Sequence, residues 1–296
     1  SGSHAEQTSS IMLGLEPIIE TEKPDLLLVY GDTNTTLAGA LVAAKSNIAL
    51  AHVEAGLRSF RKGMAEEVNR IVVDRLSDYL FCPTEIAMGN LKAEGKEKQS
   101  FLTGDVMFDV YTKIIKNVDV ETVLHNYSVT KGAYIFSTLH RAENVDNPDT
   151  LKAILANLEM ISRDGERVVV ALHPRTKNNM IKFKLSSKHL IITDPLPYKH
   201  TLAMLAGASL VITDSGGLQK EAYFSQTQCI TLRDETEWIE TLEAGWNTLL
   251  PPKDVHMLSK IVSERNNNSV RTHEPLFGLG DASLKILQQL KNILDA

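Results

Sequence analysis

Cysteine is scarce. The 296 residues contain two, Cys82 and Cys229, which excludes a disulfide-stapled scaffold. Basic charge is in deficit, with 31 Lys and Arg against 37 Asp and Glu and a net charge of −6. Binding to DNA or RNA through broad phosphate neutralisation is therefore not expected, although one anionic ligand can still sit in a local basic pocket. No apolar run approaches the roughly 20 residues of a membrane span. Ser1–Ser10 has neither a basic nor an apolar stretch, so a secretory signal is not expected there. A cytoplasmic, reducing setting is the resulting expectation. Walker P-loops and Gly-x-Ser-x-Gly elbows are missing. Histidines and cysteines do not cluster at zinc-site spacing, and neither metal nor cofactor is expected. Repeats are absent, and the nearest approach to low complexity, Asn266-Asn267-Asn268, reads as a polar loop.

What is present is a globular pattern. The chain is 43% hydrophobic and 23% charged, enough for a real core and too balanced for disorder. Short β-rich runs recur at Leu26–Tyr30, Ile48–Val53, Tyr79–Phe81, Phe101–Thr103, Ala133–Ser137, Val168–Leu172, Leu190–Thr193, Leu210–Thr213 and Gln228–Leu232. Between most of them lie stretches of helical period: Ile11–Glu20, Thr35–Lys45, Glu66–Leu76, Glu85–Glu94, Thr150–Ile161, Tyr198–Ala206 and Leu218–Phe224. This alternation predicts α/β architecture with parallel sheets. A break near Asp105–Lys131 divides it into two Rossmann-like domains, at about 1–115 and 130–275, followed by an amphipathic helix at 281–294.

In open parallel sheets ligands bind at the carboxyl ends of strands. Polar groups follow six of the runs, in a pattern that suggests a cleft. Asp214-Ser215-Gly216-Gly217 exposes backbone N–H groups at a helix start, which suits a diphosphate, and Glu221 one turn on suits a ribose. A tight turn with a solvated Glu fits the same residues equally well. Asp32, Glu54 and Glu66 are spaced 22 and 12 positions apart. Clustered in a dry cleft they can move protons. The plainer reading makes Asp32 a helix cap and Glu66 with Glu67 favourable first-turn charges. Arg58, Arg70, Arg141, Arg175 and Arg233 could hold phosphate oxygens in bidentate fashion. His140, beside Arg141, Glu143 and Asn144, is the best imidazole candidate; His52, inside a strand run, reads as a core or supporting residue. Cys82 reads as buried packing, with Thr84 capping the next helix.

Seven segments then appear in order: Tyr-Gly-Asp-Thr-Asn-Thr-Thr (30–36), His-Val-Glu-Ala-Gly-Leu-Arg (52–58), Glu-Glu-Val-Asn-Arg (66–70), Pro-Thr-Glu (83–85), Leu-His-Arg-Ala-Glu-Asn (139–144), Asp-Ser-Gly-Gly-Leu-Gln-Lys-Glu (214–221) and Leu-Arg-Asp-Glu-Thr-Glu-Trp (232–238). Together they closely resemble the non-hydrolysing UDP-N-acetylglucosamine 2-epimerases along nearly the whole chain. The resemblance implies a glycosyltransferase-B type fold with the nucleotide between two domains and the last helix crossing back to the first. It implies inversion at C2 of UDP-GlcNAc to give UDP-ManNAc, by elimination of UDP to 2-acetamidoglucal and re-addition. Asp32, Glu54 and Glu66 then correspond to the catalytic carboxylates, and His140 to the histidine meeting the leaving diphosphate. Ser215, Gly216 and Gly217 correspond to the phosphate turn, Glu221 to the ribose ligand, and Arg58, Arg70, Arg141, Glu143, His173 and Arg233 to further substrate contacts. Tyr198 is a weaker match at the uracil end, since Thr201 replaces a frequent aromatic. The implied partner is a UDP-sugar, with a homodimer expected.

Two departures stand out. Ala65 replaces a usual proline. The family's opening strand and Gly-Thr-Arg-Pro-Glu loop are not matched, so a chain short by about half a small domain is expected, weakly active and looser in its first domain. A UDP-2,3-diacetamido sugar is an alternative substrate, and a non-catalytic UDP-binding fragment an alternative role. A hydrolysing relative and a plain glycosyltransferase also share the fold, but the latter does not account for three acids in the first domain.

Overall fold

A computed structural model of the chain describes residues 2–61, 63–265 and 272–295. The Asn266-Asn267-Asn268 stretch lies outside them. Internal contacts divide the chain into two units, Ser1–Val110 with Pro275–Ala296, and Tyr111–Glu274.

The first unit opens with α1 (His4–Glu22), started by a reciprocal Ser3–Glu6 capping box. It begins about two turns before the apolar period at Ile11 does, because its first residues are polar and only Ile19 is buried. There follow β1 (Leu26–Tyr30), α2 (Asn34–Lys45), β2 (Ala49–Val53), α3 (Ala65–Leu76), β3 (Tyr79–Cys82), α4 (Glu85–Ala93), β4 (Ser100–Leu102) and α5 (Val106–Ile115). The four strands are parallel, in the order β1-β2-β3-β4. Residues of alternate parity on β2 face opposite sides. Leu50 packs with Val29, Ala40, Ala43 and Val73 on one side; Ala51 and Val53 pack with Phe81 and Ile286 on the other.

The second unit contains α6 (Val120–Asn126), β5 (Tyr134–Leu139), α7 (Ala142–Val145), α8 (Pro148–Arg163), β6 (Arg167–Leu172), α9 (Pro174–Lys182), β7 (Ile191–Thr193), α10 (Tyr198–Gly207), β8 (Leu210–Thr213), α11 (Gly216–Phe224), β9 (Cys229–Thr231), α12 (Ile239–Glu243), β10 (Asn247–Leu249) and α13 (Leu258–Glu264). The chain returns to the first unit in α14 (Ala282–Leu294), whose Ile286 and Leu290 cover its sheet. The second sheet is parallel, in the order β10-β9-β8-β5-β6-β7. Its interior strands are buried on both faces, which is why Val168-Val169-Val170 reads as an unbroken apolar run. Two elements escape the periodicity. In α9 only Thr176 and Met180 are buried, so no apolar stripe marks it. Strand β10 is three residues long, one of them buried. The strand order reverses between β5 and β8, so the ends of these strands flank a topological switch point, the usual ligand crevice of such sheets.

Among the described residues no helix is long and apolar enough to cross a membrane. Nor do three or more His, Cys, Asp or Glu side chains group as a metal site among them.

Candidate active site

In the first unit, three candidate acids occupy three connected segments. Thr33, not Asp32, caps α2, in a reciprocal box with Thr36, and the Thr36 hydroxyl donates to the Tyr30 carbonyl (2.6 Å). This corrects the reading of Asp32 as a cap and leaves its carboxylate for chemistry. Asp32 Oδ2 instead accepts from Arg70 Nη2 (2.6 Å) and Nε (3.0 Å), while the Asn69 amide donates to its carbonyl (2.8 Å).

Glu54 follows β2 with φ +70°, a left-handed conformation that costs a non-glycine residue on the order of 1–3 kcal/mol. The surroundings enforce it. The N–H groups of Glu54 and Ala55 both donate to the Phe81 carbonyl (3.1 Å each). Gly56 comes next at φ +82°, where a Cβ would lie 2.4 Å from the Ala87 carbonyl oxygen, so only glycine lets the turn dock on α4. The outcome is a Glu54 carboxylate aimed back at the β1 turn: its Oε2 lies 3.7 Å from where a Cβ on Gly31 would stand.

Glu66 is exposed at the start of α3. Its neighbour Glu67 is buried and accepts from the Ser59 N–H (2.9 Å), the Ser59 hydroxyl (3.0 Å), the Phe60 N–H (2.9 Å) and Arg70 Nη1 (3.0 Å). Burial opposes its charge, but these donors prevail and hold the carboxyl below its ordinary value. Arg58 is not available to phosphate. Its Nε and Nη2 donate to Glu94 and its Nη1 to Asp74 and the Leu57 carbonyl, and the residue is 2% exposed. Arg70 is likewise buried between Asp32 and Glu67.

In the second unit, Asp214 organises the switch point. It has no exposed surface and accepts from the His140 N–H, the Arg141 N–H (3.0 Å), the Asn144 amide (3.0 Å) and the His140 ring, whose Nδ1 lies 2.9 Å away. Burial opposes the Asp214 charge, yet the hydrogen bond and charge of His140, with Asn144 and the Arg141 N–H, keep its carboxyl below the usual range. The half-exposed imidazole is thus held by Nδ1 with Nε2 directed away from Asp214. Arg141 Nε donates to the Asp214 carbonyl (2.9 Å). His173 caps α9, accepting from the Arg175 N–H, with its ring centre 6.0 Å from that of His140. Arg175 pairs instead with Asp146, and Glu143 is exposed.

Ser215 caps α11, and Gly216 and Gly217 form its first turn. Arg233, 2% exposed, backs that turn: a Cβ on Gly216 would lie 3.6 Å from its Nη1 and 2.8 Å from Glu237 Oε1. Its Nη2 pairs with Glu237 (3.1 Å), and among the described residues Nη1 has no hydrogen-bond partner. A buried, under-satisfied guanidinium beside a helix start is an anion-binding arrangement. Deeper in α11, buried Glu221 accepts from the Tyr198 hydroxyl (2.7 Å). A cleft of about 180 Å³ beside His140 and His173 is walled by Phe136, Ala171, Pro195, Leu196 and Leu218.

Three supporting acids escape the sequence reading. Asp214 stands within a quoted motif but looks there like a helix cap. Glu67 and Asp74 share one face of α3 with Arg70, at spacings of three and four, and that charged face was the available signal.

The family model described as UDP-N-acetylglucosamine 2-epimerase matches residues 1–291. The chain belongs to the UDP-N-acetylglucosamine 2-epimerase family. Within the family it is 41% identical over 300 residues to the UDP-N-acetylglucosamine 2-epimerase homolog of Methanococcus maripaludis, covering 99% of this chain and 83% of that one. It is 40% identical over 296 residues to the UDP-2,3-diacetamido-2,3-dideoxy-D-glucuronate 2-epimerase of Pseudomonas aeruginosa, covering 99% and 82%. The crystal structure of the Methanocaldococcus jannaschii family member in complex with UDP-GlcNAc and UDP superposes with a TM-score of 0.88 at 40% identity, over 99% of this chain and 82% of that one. The wall teichoic acid polymerase TagF, at 14% identity and a TM-score of 0.53, shares the fold alone. The two parallel-sheet units are thus Rossmann-like and of glycosyltransferase-B type.

Proposed function

We propose that this protein interconverts UDP-GlcNAc and UDP-ManNAc by elimination and re-addition of UDP. A base removes the C2 proton, the C1–oxygen bond breaks, and UDP departs from 2-acetamidoglucal. UDP then returns to C1 as a proton is delivered to the opposite face of C2. This chemistry needs two proton-transfer groups and firm support for the departing diphosphate. The observation that carries the reading is Glu54: a carboxylate on a left-handed residue, directed at the turn that bears Asp32. Glu66 is assigned as the third acid from its motif. In the second unit, Ser215, Gly216, Gly217 and Arg233 suit the diphosphate, His140 steadied by Asp214 suits the developing negative charge, and Glu221 suits the ribose. Tyr198 and the apolar cleft are assigned to the nucleoside end. A UDP-2,3-diacetamido sugar is the second reading, favoured by the 40% identity with the Pseudomonas aeruginosa relative. Two free, buried cysteines fit a reducing compartment, and we assign the protein to the cytoplasm.

Turnover in D2O tests the reaction. Each sugar-nucleotide is supplied and deuterium at C2 of the product is followed by NMR. Exchange at C2 with formation of the other epimer is expected, and Glu54→Gln and Asp32→Asn should each lower kcat by about 10²–10⁴-fold, the usual weight of a general acid or base. A folded chain that binds UDP yet exchanges neither sugar refutes the assignment.

A further inference from the structure

His52 lies mid-strand in β2 with no exposed surface. Its Nδ1 is 2.7 Å from Asp74 Oδ1, and its Nε2 is 2.8 Å from the carbonyl oxygen of Gly31. A carbonyl oxygen can only accept, so Nε2 carries a proton. Asp74 is the second acceptor if it is ionised, and its neighbours hold it so: Oδ2 accepts from the Gly56 N–H (3.1 Å) and from the charged Arg58 guanidinium through Nη1 (2.7 Å). Burial opposes that charge, but His52 and Arg58 outweigh it and keep the Asp74 carboxyl below its ordinary value. Nδ1 therefore carries a proton too.

The geometry points to His52 as a buried imidazolium and a positioning residue, bracing the turn that presents Asp32 against the turn that presents Glu54. One arm of the brace holds Gly31, the residue before Asp32, whose Cα side faces Glu54 Oε2. The other runs through Asp74 to the N–H of Gly56, two residues after Glu54. The surrounding charges balance. Arg58 faces the pair from the loop after β2, held by Glu94 at the end of α4, and Asp74 faces it from α3. Cys82 of β3 stays a thiol, since burial and then the Asp74 charge push its titration up. The adjoining cluster of Arg70, Asp32 and Glu67 lies toward the start of α3. Two buried cations, His52 and Arg58, thus meet the buried Asp74 and the solvent-exposed carboxylate of Glu94, so the buried charge is paired. A neutral ring would turn one lone pair toward an acceptor and release one of the two turns.

The brace itself is independent of the reaction; its effect on rate rests on the function proposed above. Two-bond 1H–15N correlation spectra of the chain labelled at its nine histidines read it directly, with His52→Gln assigning the signal. Both His52 ring nitrogens should carry protons in the folded chain at neutral pH. A singly protonated ring there overturns the proposal, whatever the activity. In turnover, folded His52→Gln should lose about 10²-fold in kcat, the scale of an ångström of misplacement, with little change in KM. Unaltered kcat in that folded variant also overturns it. An unmodified chain that turns over neither sugar defeats the reaction reading alone, and the spectra still decide the brace.

Discussion

The two units of the chain reach order by different means. The second holds its six strands around one large apolar cluster running from Ile135 through Leu210 to Val262, and the buried Asp214 organises the loops at the point where strand order reverses. The first has four strands and two smaller clusters, one on each face of the sheet. Large apolar side chains stay exposed around it, with Tyr30 at 57% and Leu287 at 63%. Its turns are tied by ion pairs: His52 and Arg58 through the buried Asp74, Arg58 further with Glu94, and Asp32 and Glu67 through Arg70. The turn proposed for the diphosphate is thus one local motif on an apolar frame, whereas the turns bearing Asp32 and Glu54 lie on separate segments joined by a charged frame.

The most severe way to break the contrast is Asp74→Ala. It leaves Arg58 with its remaining partner Glu94 and His52 without a carboxylate, and removing one member of such a buried network costs about 3–5 kcal/mol. Denaturant unfolding should show the first unit melting far earlier while the second keeps its transition. A single transition shifted as a whole would mean that the units do not differ as described.

Next in size is the phosphate turn. A side chain on Gly216 must displace Glu237, so Gly216→Val should weaken UDP binding at least about tenfold, or about 1.4 kcal/mol. Glu54→Gln, in the first unit, should leave UDP affinity nearly unchanged in the same calorimetry. Equal losses in both variants would remove the division of labour. A gentler probe is hydrogen exchange. Amides of β5, β6 and β8, inside the large cluster, should exchange distinctly more slowly than those of β1 and β4 at the edges of the four-stranded sheet. Uniform protection across both sheets would contradict the comparison of cores.

How far the sequence foretold this depends on what each feature needs. Strands such as Val168–Leu172 and helices such as Thr35–Lys45 were legible because burial imposes a period. The Ser215-Gly216-Gly217 turn was legible because it is local. Strand β10, three residues long, carries too short a signal, and α9 buries too little. The setting of Asp32 was half legible: its place after a strand was clear, but its partner Arg70 lies 38 positions on, and no local pattern shows that pairing. Arg58 was misread for a similar reason. An arginine after a strand suits phosphate equally well until Asp74 and Glu94 are folded around it. Glu54 stood out by spacing alone, since its left-handed backbone depends on the Phe81 carbonyl from the next strand.

Acid gives the finest test. The folded carboxyls of Asp74, Glu67 and Asp214 all lie below their ordinary values. Their contribution to stability is therefore complete above the unfolded carboxyl values of about 3.9–4.3 and drains away as pH falls through the folded values. The consequences differ between the units. Protonating Asp74 removes the shared anion between Arg58 and His52, both of them buried. Protonating Asp214 releases His140, whose half-exposed ring can turn its charge to water. The first unit should thus fail at higher pH than the second. Both tryptophans, Trp238 and Trp246, lie in the second unit, so their fluorescence reports on it alone, whereas far-ultraviolet circular dichroism reports on both. As pH is lowered below about 4, the dichroism should lose amplitude before the fluorescence shifts. Asp214→Asn should move the fluorescence transition and leave the earlier dichroism step in place. Coincident transitions at every pH would show that buried ion pairs do not set the weaker unit apart.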